Sequence, residues 1–398
     1  MTTRRQFIQK SLLGTAGTLL VPGFLKAFEK SAMATKGNKK LVIIQLSGGN
    51  DGLNTIVPYR NDLYYRARPT LAISKESVLK ASDDLGFHPA LANLNALYDK
   101  GYVSVLNNVG YPNPDRSHFR SMDIWQTASA SSDYLDTGWV GRFLDSSCQS
   151  CATHKAIEID DTLSLAMKGE TIKGMAMKNP DKLYKGLRGN LFHEISSANS
   201  AQDIKDPALH YLYKTMAETI SSAELIHEKS NVARSRGVYP EGEFSARLKT
   251  VSELIKADLD TSVYYVSLSG FDTHVNQINQ HQRLLATYAD GVNAFVNDLG
   301  DTIMKEVLIL TFSEFGRRVS QNASGGTDHG TANNVFLISG DLKKKGFLNE
   351  TPDLSSLDEG DLIHRVDFRS VYATILDKWL EVPSQKILKS SFNTLSFI

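Results

Sequence analysis

A short apolar run that ends in a glycine-rich turn constrains the fold of this chain more than any other feature. Residues 41–46 read Leu-Val-Ile-Ile-Gln-Leu, and Ser-Gly-Gly-Asn-Asp-Gly follows at residues 47–52. An apolar run of strand-forming residues is typical of a strand buried on both faces, as in a parallel sheet. Four further segments are short, mainly apolar runs of strand-forming residues, at residues 102–106, 262–268, 307–312 and 334–338.

Amphipathic helical patterns separate these predicted strands. They cover residues 90–100, 207–228, 244–257 and 282–300. Strands that alternate with helices indicate an α/β fold with a mainly parallel sheet. Residues from about 148 to 239 lack strong strand signals and hold many polar residues, so we expect a mostly helical insertion there.

Composition excludes some classes of partner. The 398 residues include 44 Lys and Arg and 44 Asp and Glu, so the charge balance gives no argument for nucleic acid or an anionic membrane. With 41% hydrophobic residues the chain can bury a sizeable core. After the N-terminal region no apolar segment approaches the length of a membrane span, so we expect no stable span in the mature chain.

The N-terminus carries a targeting pattern. Residues 3–8 read Thr-Arg-Arg-Gln-Phe-Ile, an interrupted apolar stretch follows to Phe28, and Ala32-Met33-Ala34 has the small-x-small form of a cleavage site. These features predict a twin-arginine signal peptide over residues 1–34, with the twin-arginine translocase as partner and the periplasm or the extracellular space as destination. The remaining residues, 35–398, are then expected to form a single domain.

The two cysteines, Cys148 and Cys151, form one C-x-x-C pair. In an oxidising compartment a local disulfide is the favoured interpretation. A redox motif and a zinc site with His154 stay open as weaker alternatives.

Acidic and imidazole side chains gather where predicted strands end. Ligands of open parallel sheets bind beyond the carboxyl ends of the strands. Carboxylates and imidazoles together suit a divalent metal, whether zinc, calcium, manganese or magnesium. Each residue also has a purely structural interpretation, such as a turn at Asp51 or satisfied histidines. The candidate metal ligands are Asp51, Asp272, His274, Glu314, Asp328 and His329.

A second candidate segment runs from Pro112 to Thr127, where turn residues lead into a helical pattern. Ser117 lies near the predicted helix start, where backbone N–H groups favour an anion. A hydroxyl there, close to a metal, can attack phosphorus or sulfur, and Arg116 or Arg142 can hold the non-bridging oxygens. Alternatively, Ser117 merely caps the helix.

Several of these segments resemble the bacterial family called domain of unknown function 1501. They include Gly48 to Thr55, Ser117-His118-Phe119, Phe312 to Arg317, Gly326 to Ala332 and Asp367 to Tyr372. That family is in turn similar to the alkaline phosphatase and sulfatase superfamily. The resemblance implies a three-layer α/β/α sandwich.

The same resemblance implies roles for single residues. It matches Asp51 to a metal-binding Asp, Ser117 to the nucleophile, Asp272 and His274 to a ligand pair, and His329 to a final ligand. Phe315, after Glu314, replaces a metal-binding His, although Asp328-His329 is an alternative match for that pair. The sulfatase signature is absent at Ser117 and at Cys148.

The leading hypothesis is an exported metal-dependent hydrolase of phosphate or sulfate esters that uses Ser117 as nucleophile. The substrate would be a small-molecule or polysaccharide ester, and no nucleic acid is expected. The alternative is a non-catalytic exported binding or accessory protein that keeps the fold. Phosphomutase-like transfer is a weaker third option.

Overall fold

A mixed, mainly parallel sheet forms the centre of the molecule. The computed structural model describes residues 39–147, 151–187 and 207–398, so the predicted signal over residues 1–34 and Cys148 lie outside the described residues. The strands of the main sheet are β1 Lys40–Ser47, β2 Val103–Gly110, β3 Ala156–Glu158, β4 Met175–Ala176, β5 Val263–Ser269, β6 Val307–Phe312, β7 Asn333–Ile338, β8 Gly346–Phe347 and β9 Val366–Asp367.

The strand order is β8-β2-β7-β6-β1-β5-β3-β4, and β9 also pairs with β2. Strand β1 lies at the centre, parallel to both β5 and β6. Only β7 runs against its neighbours, since it is antiparallel to β2 and to β6 within the described sheet. Its first residue therefore lies at the edge where the parallel strands end.

Eleven α-helices accompany the strands in the described ranges. They are α1 Gly52–Thr55, α2 Asp62–Ala67, α3 Ala92–Asp99, α4 His118–Thr127, α5 Trp139–Ser147, α6 Pro180–Leu187, α7 Pro207–Val232, α8 Glu243–Lys256, α9 Gln277–Met304, α10 Phe368–Thr374 and α11 Ser384–Leu388. Short strands away from the main sheet are Ile56–Val57, Leu79–Lys80, Gly86–Phe87, Leu357–Asp358 and Asp361–Leu362.

Alternate side chains of β1 enter two separate hydrophobic cores. Val42 and Ile44 pack with helices α3, α8 and α9, whereas Leu41 and Ile43 pack with α4, α5 and α10. Successive side chains of a strand point to opposite faces, so both faces of the sheet are covered. The predicted three-layer α/β/α sandwich with a mainly parallel sheet is confirmed.

The segment predicted as a helical insertion contains α6 and α7 and also supplies the last two strands at one side of the sheet, β3 and β4. These strands are two and three residues long, too short to show a pattern in the sequence. Within this segment Cys151 is disulfide-bonded. None of the helices in the described ranges has the length and apolar character needed to cross a membrane.

Candidate metal centre

Strand direction brings several loops to one edge of the sheet. Strands β1, β5 and β6 are parallel and end there, and antiparallel β7 begins there. The loops that follow β5 and precede β7 carry Asp272, His274 and His329. Helix α4, which follows β2, starts with His118 at the same edge. The predicted convergence of loops is therefore present in the structure.

One carboxylate oxygen of Asp272 is surrounded by three histidine rings. Its Oδ1 atom lies 3.1 Å from Nε2 of His274, 3.2 Å from Nε2 of His329 and 3.5 Å from Nε2 of His118. The Nε2 atoms of His274 and His329 are 2.9 Å apart. In the described part of the chain, His118, Asp272 and His329 offer ligand atoms that all lie within 4.8 Å of one another.

The other ring nitrogen of each histidine contacts an oxygen that can only accept a hydrogen bond. Nδ1 of His118 lies 3.0 Å from Glu314 Oε1, Nδ1 of His274 lies 3.2 Å from Asp328 Oδ1, and Nδ1 of His329 lies 2.8 Å from the Arg116 carbonyl. A proton on Nδ1 would satisfy each of these acceptors, and in that tautomer the Nε2 atom has a lone pair for a cation. Histidines that bind a metal are oriented in this way.

These separations suit a small tetrahedral ion. Ligand atoms about 2.0–2.1 Å from zinc are about 3.3–3.4 Å apart in a tetrahedron. Four of the separations among the Nε2 and Oδ1 atoms are 2.9–3.5 Å, and the ligand atoms of His118, Asp272 and His329 all lie within 4.8 Å of one another. In addition, Nε2 of His118 is buried and has no hydrogen-bond partner among the described residues. A bound cation would give this atom a partner.

Charged neighbours keep Asp272 ionised. Partial burial alone would raise the pKa of its carboxyl, but hydrogen bonds from Arg317 and His329 outweigh burial and lower that pKa to about 2. The hydrogen bond with Glu314 raises the pKa of His118, whereas burial lowers the pKa of His329. Asp272 is thus in the charged form that a cation requires.

Arg317 and Phe315 hold the loops around the cluster. The buried Arg317 side chain donates to the carbonyl oxygens of Gly49 at 2.6 Å and Phe271 at 2.9 Å, and to Asp272 at 2.8 Å. The Phe315 ring lies 4.8 Å from the ring centre of His118 and 4.6 Å from that of His329. A Cβ atom at Gly49 would come within 2.2 Å of the Phe315 ring, so this turn requires glycine.

The residues predicted as metal ligands fall into two groups around the Asp272 carboxylate. Asp272, His274 and His329 contact one another directly. Glu314 and Asp328 lie one step behind, as acceptors for His118 and His274. Glu314 is fully buried and also accepts the Gly48 N–H at 2.8 Å.

Asp51 is not brought to this cluster. Its carboxylate forms a fully buried ion pair with Arg68 at 2.6 Å and accepts further hydrogen bonds from Gln277 and from the Asn54 backbone. Burial acts to raise the pKa of Asp51, but the charges of Arg68 and His281 and the hydrogen bonds from Arg68 and Gln277 together outweigh burial and lower that pKa. Its carboxylate oxygens therefore contact Arg68, Gln277 and Asn54 and not the three histidines of the cluster.

The residues predicted to be catalytic do not all lie at the cluster. Ser117 is exposed, does not cap α4 through its side chain, and stands between His118 and Arg116, whose carbonyl holds His329. The Arg116 side chain pairs with Asp361 at 2.5 Å. Arg142 is not brought to the cluster, because its guanidinium is buried and donates to the carbonyl oxygens of Thr127 and Ile387.

His118 is the ligand candidate that the sequence analysis missed as a site residue. It lies within the Ser117-His118-Phe119 motif, beside the candidate nucleophile, at the start of the helix that follows β2. The rule that ligands gather beyond strand ends applies to this position too, so the signal was present in the sequence.

The family model described as "Protein of unknown function (DUF1501)" matches residues 38–388. This chain belongs to the DUF1501 family. The match covers β1 through α11, and it therefore includes every residue of the cluster. A comparison with curated proteins finds no match.

Among solved structures, this DUF1501 chain is similar to the PsFucS1 sulfatase from Pseudoalteromonas sp., with 10% identity over 93% of this chain and 75% of that chain, at a TM-score of 0.39. It is similar to the lipoteichoic acid synthase LtaP from Listeria monocytogenes, with 10% identity over 79% and 69%, at a TM-score of 0.36. It is also similar to alkaline phosphatase from the Antarctic bacterium TAB5, with 10% identity over 78% and 95%, at a TM-score of 0.34.

Proposed function

We propose that this chain is a metal-dependent hydrolase of phosphate or sulfate esters. The observation that supports it is the convergence of three histidine Nε2 atoms on one carboxylate oxygen of Asp272. Three nitrogen ligands and one carboxylate favour zinc over calcium or magnesium, which prefer oxygen ligands. His118, His274, His329 and Asp272 are the residues that would hold the ion.

Bound there, a divalent ion supplies Lewis-acid stabilisation of the ester and lowers the pKa of a nearby hydroxyl. Ser117 stands next to His118 and is exposed, so it is our candidate nucleophile. Its Oγ would form a bond to phosphorus or sulfur while the bond to the leaving alcohol breaks, and its proton would end on that alcohol. Water would then attack the phosphorus or sulfur, the bond to Oγ would break, and one proton of the water would return to Ser117 as phosphate or sulfate leaves. Arg116 has 41% of its side chain exposed and stays a candidate for holding the transferred group.

We also propose that the chain is exported from the cytoplasm. This proposal rests on the Arg4-Arg5 pattern and on the disulfide at Cys151, because disulfides persist in oxidising compartments. We further propose that residues 35–398 act as one domain once residues 1–34 are removed.

A second candidate function is ligand binding without catalysis. Phe315 favours it, since an apolar ring packs against two histidines where the resemblance leads one to expect a metal ligand. Asp51, tied to Arg68, favours it as well.

Elemental analysis of the purified chain tests the metal. We expect about one zinc ion per chain, lost in His329→Ala and retained in His227→Ala, a histidine that contacts Asp181 and Tyr184 away from the cluster. Absence of any divalent ion after incubation with zinc, calcium, manganese and magnesium would contradict the proposal.

The Ser117→Ala variant separates the two candidate functions. A hydrolase should lose at least about a hundredfold in kcat on an aryl phosphate or aryl sulfate while its zinc content stays unchanged. Full activity of the variant would remove Ser117 from the mechanism. If the parent chain binds zinc but turns over neither ester, the binding function becomes the better interpretation.

A further inference from the structure

A small cavity adjoins the metal cluster. It has a volume of about 140 Å³, and its lining includes Phe315, Tyr111 and Trp125. Phe315 is the shared wall, because its ring also contacts His118 and His329. The segment that leads to Ser117 and the residues that follow His329 line the same cavity, so the cavity adjoins both the cluster and the candidate nucleophile.

The charges on this cavity have one sign. Asp115 and Asp358 line it, and no lysine or arginine is found among its described lining residues. Burial lowers the pKa of His364, the histidine in the lining, so this ring is neutral at pH 7. The nearby side chains of Arg116 and Arg318 both pair with Asp361. An anionic group is therefore repelled, and a cation is favoured.

We propose that this cavity binds a small ammonium group on the alcohol part of the ester. Carboxylates beside aromatic side chains are a chemical environment that recognises ammonium groups. Because Trp125 is stacked against Phe312 and Phe368, Tyr111 and Phe315 are the rings that would contact such a group. At roughly 30 Å³ for each water-sized unit, the cavity has room for about five such units, which is the size of a trimethylammonium group. The inference names the substrate class and rests on the proposed ester hydrolase.

Two probes of equal shape test the cavity without any turnover. Choline and 3,3-dimethylbutan-1-ol differ in having N⁺ or carbon at the centre of three methyl groups, and saturation-transfer NMR detects both through nine equivalent protons. We expect choline to bind on the order of tenfold more tightly. Equal affinity for the two probes, or tighter binding of the neutral one, would overturn the proposal.

Substitutions of the two carboxylates in the lining test whether choline binds in this cavity. Asp115→Asn keeps an oxygen for the Ser117 N–H, which the Asp115 carboxylate accepts at 2.6 Å, but removes the charge. This variant and Asp358→Asn should each reduce the preference for choline severalfold. The matched control is Asp84→Asn, an exposed carboxylate outside the cavity, which should leave the preference unchanged. An unchanged preference in both cavity variants would contradict the assignment.

Hydrolysis of the corresponding phosphate esters distinguishes failure of the cavity from failure of the enzyme. We expect kcat/KM for choline phosphate to exceed that for 3,3-dimethylbutyl phosphate by about tenfold. Selective choline binding with no turnover of either ester supports the cavity and counts against the hydrolase. Equal turnover of both esters supports the hydrolase and counts against the cavity.

Discussion

Asp272 and Asp51 lie at the same edge of the sheet, after neighbouring parallel strands, yet their surroundings differ. The side chain of Asp272 is 49% exposed and meets three histidines. The side chain of Asp51 is fully buried and meets Arg68. The position of a carboxylate after a strand is therefore not enough to make it a ligand, because the partners of its oxygens decide whether a cation can bind.

The comparison also separates stability from binding. A buried carboxylate that loses its partner keeps the full cost of desolvation, whereas an exposed one can be solvated by water. Changes around Asp51 should therefore affect folding, and changes around Asp272 should affect metal binding.

The largest effect is expected from Arg68→Ala. Loss of this guanidinium leaves Asp51 buried without a counter-charge, which should lower the free energy of unfolding by about 3–5 kcal/mol. Urea denaturation measures the change. Arg66→Ala, at an exposed position in the last turn of α2 and two residues before Arg68, is the matched control and should change stability by less than about 0.5 kcal/mol. Similar costs for the two variants would remove the distinction between the regions.

Asp272→Asn should give the opposite result. We expect zinc affinity to fall by at least about a hundredfold, since the one charged ligand becomes neutral. The free energy of unfolding should fall by only about 1–2 kcal/mol, less than for Arg68→Ala, because Arg317 keeps its hydrogen bonds to the carbonyl oxygens of Gly49 and Phe271. Calorimetric titration with zinc and urea denaturation supply the two values. Retained affinity together with a large loss of stability would place Asp272 in the same class as Asp51.

Asp298 extends the comparison to a carboxylate far along α9. Its side chain is 4% exposed and paired with Lys256, and burial acts to raise its pKa, but hydrogen bonds from Lys256 and Ser252 lower that pKa to about 2. A folded-state pKa below the unfolded value stabilises the protein above about pH 4, and this contribution is lost as the pH falls towards 2.

Replacement of Asp298 by Asn should therefore cost about 1–2 kcal/mol at pH 7 and progressively less below pH 4. Urea denaturation at pH 7, 4 and 2.5 gives the three values. A cost that does not change with pH would show that the charge of Asp298 is not what stabilises the fold.

The smallest effect is expected from Asp328→Asn. This carboxylate accepts from Nδ1 of His274 at 3.2 Å, and an amide oxygen can still accept there but makes the imidazole less basic. Zinc affinity should fall by about tenfold, less than for Asp272→Asn. A fall as large as that of Asp272→Asn would make Asp328 a direct ligand and would enlarge the cluster.

The strand positions could be predicted because buried parallel strands have a simple apolar pattern. The run at residues 41–46 lies within β1, and the run at residues 307–312 coincides with β6. Convergence of Asp272, His274 and His329 followed from strand ends alone. The short strands β3 and β4 were not predictable, since two or three residues are too few to show a hydrophobic period.

The contacts of individual side chains were harder to predict from the sequence than the strands were. His118 and Ser117 belong to one motif, in which a functional role was predicted for the hydroxyl of Ser117 and not for the imidazole of His118. Arg142 has the charge for holding an oxyanion, but tertiary packing directs its guanidinium to backbone carbonyls of α4 and α11.

The sequence by itself determined the layers, the sheet and the edge at which the polar loops meet, because these follow from hydrophobic period and strand direction. Only the tertiary structure decided which carboxylate faces the histidines and which faces Arg68. Arg68 lies 17 residues after Asp51 in the chain, and their ion pair exists because packing buries both groups together. The local hydrophobic pattern of a sequence indicates which residues are buried, whereas the partner of a buried charge depends on contacts between distant segments.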